Sequence, residues 1–127
     1  MELTTLLSID EEKSLAKLAL KGALNTDTAQ DFEVSLQDAI STGMQLTVLD
    51  MKELDYISSA GLRVIFKAAK EVKASEREFA AANRQPHIEK VFEILKALPD
   101  MAVFANDEEM DEYLSSIQSQ VKGEDPG

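Results

Sequence analysis

The chain has 127 residues, room for one folded domain and too few for two independent cores. With 44% hydrophobic residues it falls in the range of folded proteins, and no run approaches the ~20 apolar residues that cross a bilayer. A formal net charge of −11 repels phosphate backbones and anionic lipids alike, so neither nucleic acid nor membrane is expected as a partner, and any bias is towards a basic protein.

There are no cysteines, which removes disulfides and thiolate chemistry. The opening Met1-Glu2-Leu3-Thr4-Thr5 lacks the basic start of a secretory signal. Both features agree with a cytoplasmic setting.

Two strands are expected first. Leu7 and Ile9 alternate before the polar Asp10–Ser14, and Ala16, Leu18 and Leu20 alternate with Leu15, Lys17 and Ala19, the pattern of a hairpin. After Gly22, the run Asn25-Thr26-Asp27-Thr28 offers several N-cap side chains to a helix carrying Ala29, Phe32, Leu36 and Ile40 and stopping at Gly43.

Leu46–Leu49 reads as a strand covered on both faces and ending near Asp50, with a turn to follow. A second helix starts near Ser59, with Leu62, Ile65, Phe66, Ala69 and Val72 on one face. Glu78–Ala82 is a further strand. Pro86 suits a helix first turn, followed by Ile88, Val91, Phe92, Leu95 and Leu98 up to Pro99. Ala102-Val103-Phe104 makes a last short strand. Asp107 is placed to cap a final helix buried through Met110, Tyr113, Leu114, Ile117 and Val121.

A hairpin followed by alternating helices and strands gives an α/β domain, with a mostly parallel mixed sheet, right-handed crossovers and flanking helices. The domain is expected over residues 1–121, with 122–127 a polar tail that frays.

Chemistry is scarce. The single histidine, His87, lies in a helix first turn and is expected to be exposed without a catalytic part; no nucleophile-elbow pattern accompanies it. One histidine and no cysteine make a poor zinc site. The run Asp107-Glu108-Glu109-Met110-Asp111-Glu112 lacks the spacing of a calcium loop, and acidic residues in a first turn complement the helix dipole. No glycine-rich phosphate loop or dinucleotide fingerprint occurs. No enzyme, metal or cofactor is expected.

What remains is Asp50-Met51-Lys52-Glu53-Leu54-Asp55-Tyr56-Ile57-Ser58-Ser59-Ala60-Gly61-Leu62-Arg63-Val64-Ile65-Phe66. Ser58 or Ser59 can cap the helix by accepting from its free N–H groups. A helix N-terminus also tolerates phosphate, and an exposed serine there can be modified without unfolding the domain.

Asp50 to Phe66 resembles the signature of the STAS domains of bacterial anti-sigma factor antagonists, in which a strand ends in aspartate and a loop leads to Asp-Ser-Ser/Thr-Gly-Leu at a helix start. Aligning Gly61-Leu62 with the family's Gly-Leu puts Ser59 on the phosphorylated serine, Ser58 on the preceding aspartate and Ala60 on the second hydroxyl position. Gly22–Ala29 is similar, more loosely, to the family's strand-to-helix loop. Ser58 and Asn25 stand where acidic residues are usual, and both departures remove negative charge.

The resemblance implies a partner-switching antagonist. Unphosphorylated, it would bind an anti-sigma factor that is also a serine kinase and so free the sigma factor. Phosphorylation of Ser59 would end binding, and a metal-dependent serine phosphatase would restore it. The implied docking surface is Asn25, Asp27, Ser58, Ser59, Ala60, Gly61 and Arg63.

Two competitors stand beside it. A receiver domain would use Asp50 as phospho-acceptor, but the region after Phe104 carries no lysine and the opening reads as a hairpin. A phosphorylation-independent STAS scaffold or ligand-sensing module would be indifferent to changes at Ser59.

Overall fold

The opening strands pair because apolar residues recur at every second position on either side of a short polar loop. In a computed structural model, which describes residues 2–97 and 106–123, β1 (Leu3–Asp10) and β2 (Leu15–Leu24) form an antiparallel hairpin. The Asp10 carboxylate accepts from the Lys13 N–H at 3.2 Å, and Ser14 takes a positive φ of 52° to close the loop.

The chain continues through α1 (Ala29–Ser41), β3 (Leu46–Ile57), α2 (Ser59–Ala74), β4 (Glu78–Ala82), α3 (Pro86–Ala97) and α4 (Asp107–Val121). The sheet order is β1-β2-β3-β4, with β2, β3 and β4 mutually parallel. The expected mostly parallel mixed sheet is therefore present.

The expected helical stripes supply much of the core. Phe32, Leu36 and Ile40 of α1, Leu62, Ile65 and Val72 of α2, and Ile88, Val91 and Leu95 of α3 pack with Leu18, Leu20, Leu49 and Met51 of the sheet. Phe66 and Phe92 lie half-buried at its margin, their rings edge-to-face at 6.3 Å.

Several expectations are corrected. β3 does not end near Asp50 but runs on to Ile57, because β2 continues to pair with it as far as Leu24 opposite Ile57. Only β4 stops, at Ala82 opposite Asp50. The part of β3 beyond β4 is bonded by side chains. Gln85 Nε2 donates to the carbonyls of Lys52 and Leu54 at 2.8 and 3.0 Å.

His87 is buried rather than exposed, at 3%. Its Nε2 lies 2.7 Å from the Asp55 carbonyl oxygen; a carbonyl can only accept, so this nitrogen carries the proton.

In α4 the cap is Asn106, whose side chain accepts from the Glu109 N–H at 2.8 Å, and not Asp107. The helix buries Met110, Leu114 and the polar Gln118, while Tyr113 and Val121 remain on the outside. The expected strand at Ala102–Phe104 and the ends at Leu98 and Pro99 lie outside the described residues, as does the tail beyond Gly123.

Candidate functional site

Parallel strands deliver their carboxyl ends to one edge of a sheet, and connecting loops gather there. β2 and β3 end side by side, and the Ser58 N–H donates to the Leu24 carbonyl at 2.8 Å. That bond sets the start of α2 against the loop that leads from β2 into α1.

The first loop is held by its own side chains. Asn25 Oδ1 accepts from the N–H groups of Asp27 and Thr28 at 2.9 and 3.0 Å. Thr28 Oγ1 accepts from the Asn25 N–H at 2.9 Å and donates to the Ala23 carbonyl at 2.9 Å. Asn25 is half-buried and tied to this turn, whereas Asp27 is exposed.

Ser58 is the N-cap of α2. Its backbone is extended, and its Oγ accepts from the Gly61 N–H at 3.2 Å. Gly61 lets the helix approach the end of β2. A Cβ there would run into the Leu24 side chain, about 2.7 Å from Cδ2. The sequence Ser-Ser-Ala-Gly is thus what a helix start packed onto a neighbouring strand requires.

The structure sets the Ser58–Gly61 start of α2 against Leu24, just before the Asn25–Thr28 loop, and the residues singled out in the sequence differ in exposure. Asp27 and Arg63 are exposed, and Asn25 and Ala60 half-buried. Ser58, Ser59 and Gly61 are buried, with Ser59 only 1% exposed. The expectation of an exposed serine is not met.

The cover is α4. Asp111 Oδ1 accepts from the Ser59 N–H at 2.8 Å. Gln118 Oε1 accepts from the Ile57 N–H at 3.0 Å, and its Nε2 donates to the Ile57 carbonyl at 2.8 Å, so one side chain bonds to the strand as another strand would. Tyr56 and Ser115 share a hydroxyl–hydroxyl bond of 2.8 Å. The first turn of α2 holds no acidic residue of its own, and Asp111 supplies a carboxylate to its positive end from another helix.

Asp111, Ser115 and Gln118 were not legible as site residues. Their signal was present: with Leu114 they fall at i, i+3, i+4 and i+7, so they share a stripe with a core leucine.

A serine-bearing strand-to-helix junction, set beside a second strand-to-helix loop at the carboxyl ends of parallel strands, defines the candidate site of a small α/β domain. The profile of the STAS domain matches residues 7–110. The chain belongs to the STAS domain family.

A candidate anti-sigma factor antagonist, BtrV of Bordetella bronchiseptica, is 36% identical over 88 residues, which cover 69% of this chain and 76% of that protein. An anti-sigma factor antagonist from Mycobacterium paratuberculosis has the same fold, with a TM-score of 0.65, 18% identity and coverage of 92% of this chain and 95% of that one. So does the anti-sigma factor antagonist SpoIIAA of Bacillus. Its unphosphorylated and phosphorylated forms each match with a TM-score of 0.59 and 18% identity over 72% of this chain and 83% of theirs.

Proposed function

We propose that this protein is an anti-sigma factor antagonist that works by partner switching, with Ser59 as the switch. In its unphosphorylated form it docks on an anti-sigma factor that is also a serine kinase, and docking releases the sigma factor. The Ser59 hydroxyl then attacks the γ-phosphorus of the kinase's ATP. An O–P bond forms at Oγ, the bond to the β-phosphate oxygen breaks to release ADP, and the serine proton passes to a base of the kinase. A serine phosphatase hydrolyses the ester and resets the protein.

The observation that carries this reading is the place of Ser59 as first residue of α2, at a helix start that the Ser58 N–H ties to the end of β2 just before the Asn25–Thr28 loop. The relationship to BtrV, a candidate antagonist, supports it. Phosphate at a docking surface adds roughly −1.5 to −2 charges, and an unpaired charge in an interface costs several kcal/mol, enough for about 100-fold in affinity.

Calorimetric titration of the cognate anti-sigma factor with unmodified and Ser59-phosphorylated protein tests the switch. Binding of the first and loss of about 100-fold or more for the second are expected. Equal affinities would sink the proposal.

One observation favours a second reading. A serine 1% exposed is out of reach of a kinase in this conformation, as a phosphorylation-independent STAS scaffold would have it. Under that reading both forms bind the anti-sigma factor equally or not at all.

A further inference from the structure

Among the described residues, the side chains of α4 that bond the segment around Ser59 come from one face of that helix. Asp111, Leu114, Ser115 and Gln118 lie along a single stripe of α4, and the three polar ones bond in order to Ser59, Tyr56 and Ile57. The segment they hold, 56–59, is the one that presents the serine. Among the described residues no strand lies against β4's side of β3 beyond Asp50, and at Ile57 a side chain of α4 bonds there instead of a backbone ladder. α4 is held by these bonds and by the burial of Met110 and Leu114, so its opening is a local unfolding step and not the breaking of a backbone ladder.

We propose that α4 is a latch on the switch serine: closed, it keeps Ser59 from a modifying enzyme; open, it yields Ser59 and the start of α2, and a phosphate on Ser59 holds it open. This rests on the reading of Ser59 as the modified residue. The second half follows from charge. Asp111 already occupies the N-terminal N–H of α2, and a phosphoryl group on the same residue places a second anion at the same donors. Two anions on one helix end repel, and the group not covalently attached leaves. The kinase thus meets an open form, and the phosphorylated protein differs from the unmodified one in the position of α4 as well as in charge.

The absence of cysteine from the chain gives a direct test. In full-length Ser59→Cys the introduced thiol is the only one. Its thiolate attacks the disulfide of Ellman's reagent to form a mixed disulfide and release a coloured thiolate, and the rate reports the open fraction. The thiol is expected to react more slowly than free glutathione by about 100-fold or more, with Asp111→Ala or Gln118→Ala added to Ser59→Cys raising the rate at least about tenfold. Tyr56→Phe, which removes a single hydroxyl, serves if the Gln118 variant does not fold.

Val72→Ala, at the far end of α2 and about 20 Å from residue 59 by helical rise, loosens the core without touching the latch. Its rate stays within about threefold of the parent if opening is local. A thiol that reacts as freely as glutathione, or one accelerated equally by Val72→Ala and Gln118→Ala, overturns the latch.

Hydrogen exchange on full-length protein carrying phosphoserine at 59 reads the second half. Amides of Asp107–Val121 are expected to lose protection relative to the unmodified protein, and unchanged protection overturns it. Neither measurement uses the kinase. A slow, latch-dependent thiol in a protein that kinase and ATP leave unmodified would defeat the partner-switch reading alone. A freely reactive thiol in a protein that is phosphorylated on Ser59 would defeat the latch alone.

Discussion

The carboxylate of Asp111 receives the backbone N–H of Ser59 at 2.8 Å, so a side chain from the second turn of one helix closes the N-terminus of another. The two residues lie 52 apart in sequence. Their contact makes the accessibility of the serine depend on how firmly α4 is seated, and the stability of that seat can be measured residue by residue.

Gln118 is the deepest anchor, 2% exposed and bonded to both backbone groups of Ile57. Gln118→Ala leaves a buried N–H and a buried carbonyl without this partner. Such losses cost about 1–3 kcal/mol each where water cannot replace them, and a net loss of about 2–4 kcal/mol is expected. Urea unfolding measures it, and a loss below about 0.5 kcal/mol would show that α4 contributes little at this point.

Gly61→Ala drives a methyl group into the Leu24 side chain. Overpacking of this kind costs about 1–3 kcal/mol. Leu24→Ala opens space at the same point, so the double variant is expected to be more stable than the sum of the two single losses predicts. A thermal or urea double-mutant cycle reads the coupling, and simple additivity would argue against the contact.

Thr47 is 1% exposed, and its Oγ1 has no hydrogen-bond partner among the described residues. Thr47→Val removes the buried hydroxyl at nearly constant volume in a strand that suits valine. A gain of about 1 kcal/mol in urea unfolding is expected. A loss would show that the hydroxyl is satisfied.

Asp50 sets part of the acid limb of stability. Partial burial pushes its carboxyl up, but the Asn83 amide, the Lys52 N–H and the nearby Lys17 and Lys52 charges outweigh that and hold it below its ordinary value. A group with a lowered folded pKa binds fewer protons native than unfolded, so its contribution is present above the ordinary carboxylate range. It is lost as pH falls through the lowered folded value. Asp50→Asn is therefore expected to flatten the fall in urea midpoint on acidification, with no comparable change in slope near neutrality.

Much of this arrangement was legible in the sequence, for reasons of period and punctuation. The hairpin, the α1 stripe from Ala29 to Ile40 and the β4 limits at Glu78 and Ala82 follow from alternation, 3.6-residue spacing and breakers, all of which are local. The serine motif was legible through its resemblance to the STAS signature; the capped helix start alone reads as an ordinary helix N-terminus.

What was not legible depends on distant partners. His87 looks exposed in a first helical turn but is drawn inward by the Asp55 carbonyl. Lys52–Ile57 looks too polar for a strand, and it is one because β2 pairs with it across two register shifts as far as Ile57 while Gln85 and Gln118 bond its backbone. Polar residues on a helix read as solvent-facing; Asp111 and Gln118 face inward because a strand end and a helix N-terminus need their hydrogen bonds.

The most direct measurement is intact mass with site mapping after incubation of the full-length protein with its cognate kinase and ATP, with Ser59→Ala alongside. One phosphate on the unmodified sequence, mapped to Ser59, and none on the variant is the predicted result. No phosphate on either, with the same kinase active on another substrate, or a phosphate mapped to Ser58, would contradict Ser59 as the switch.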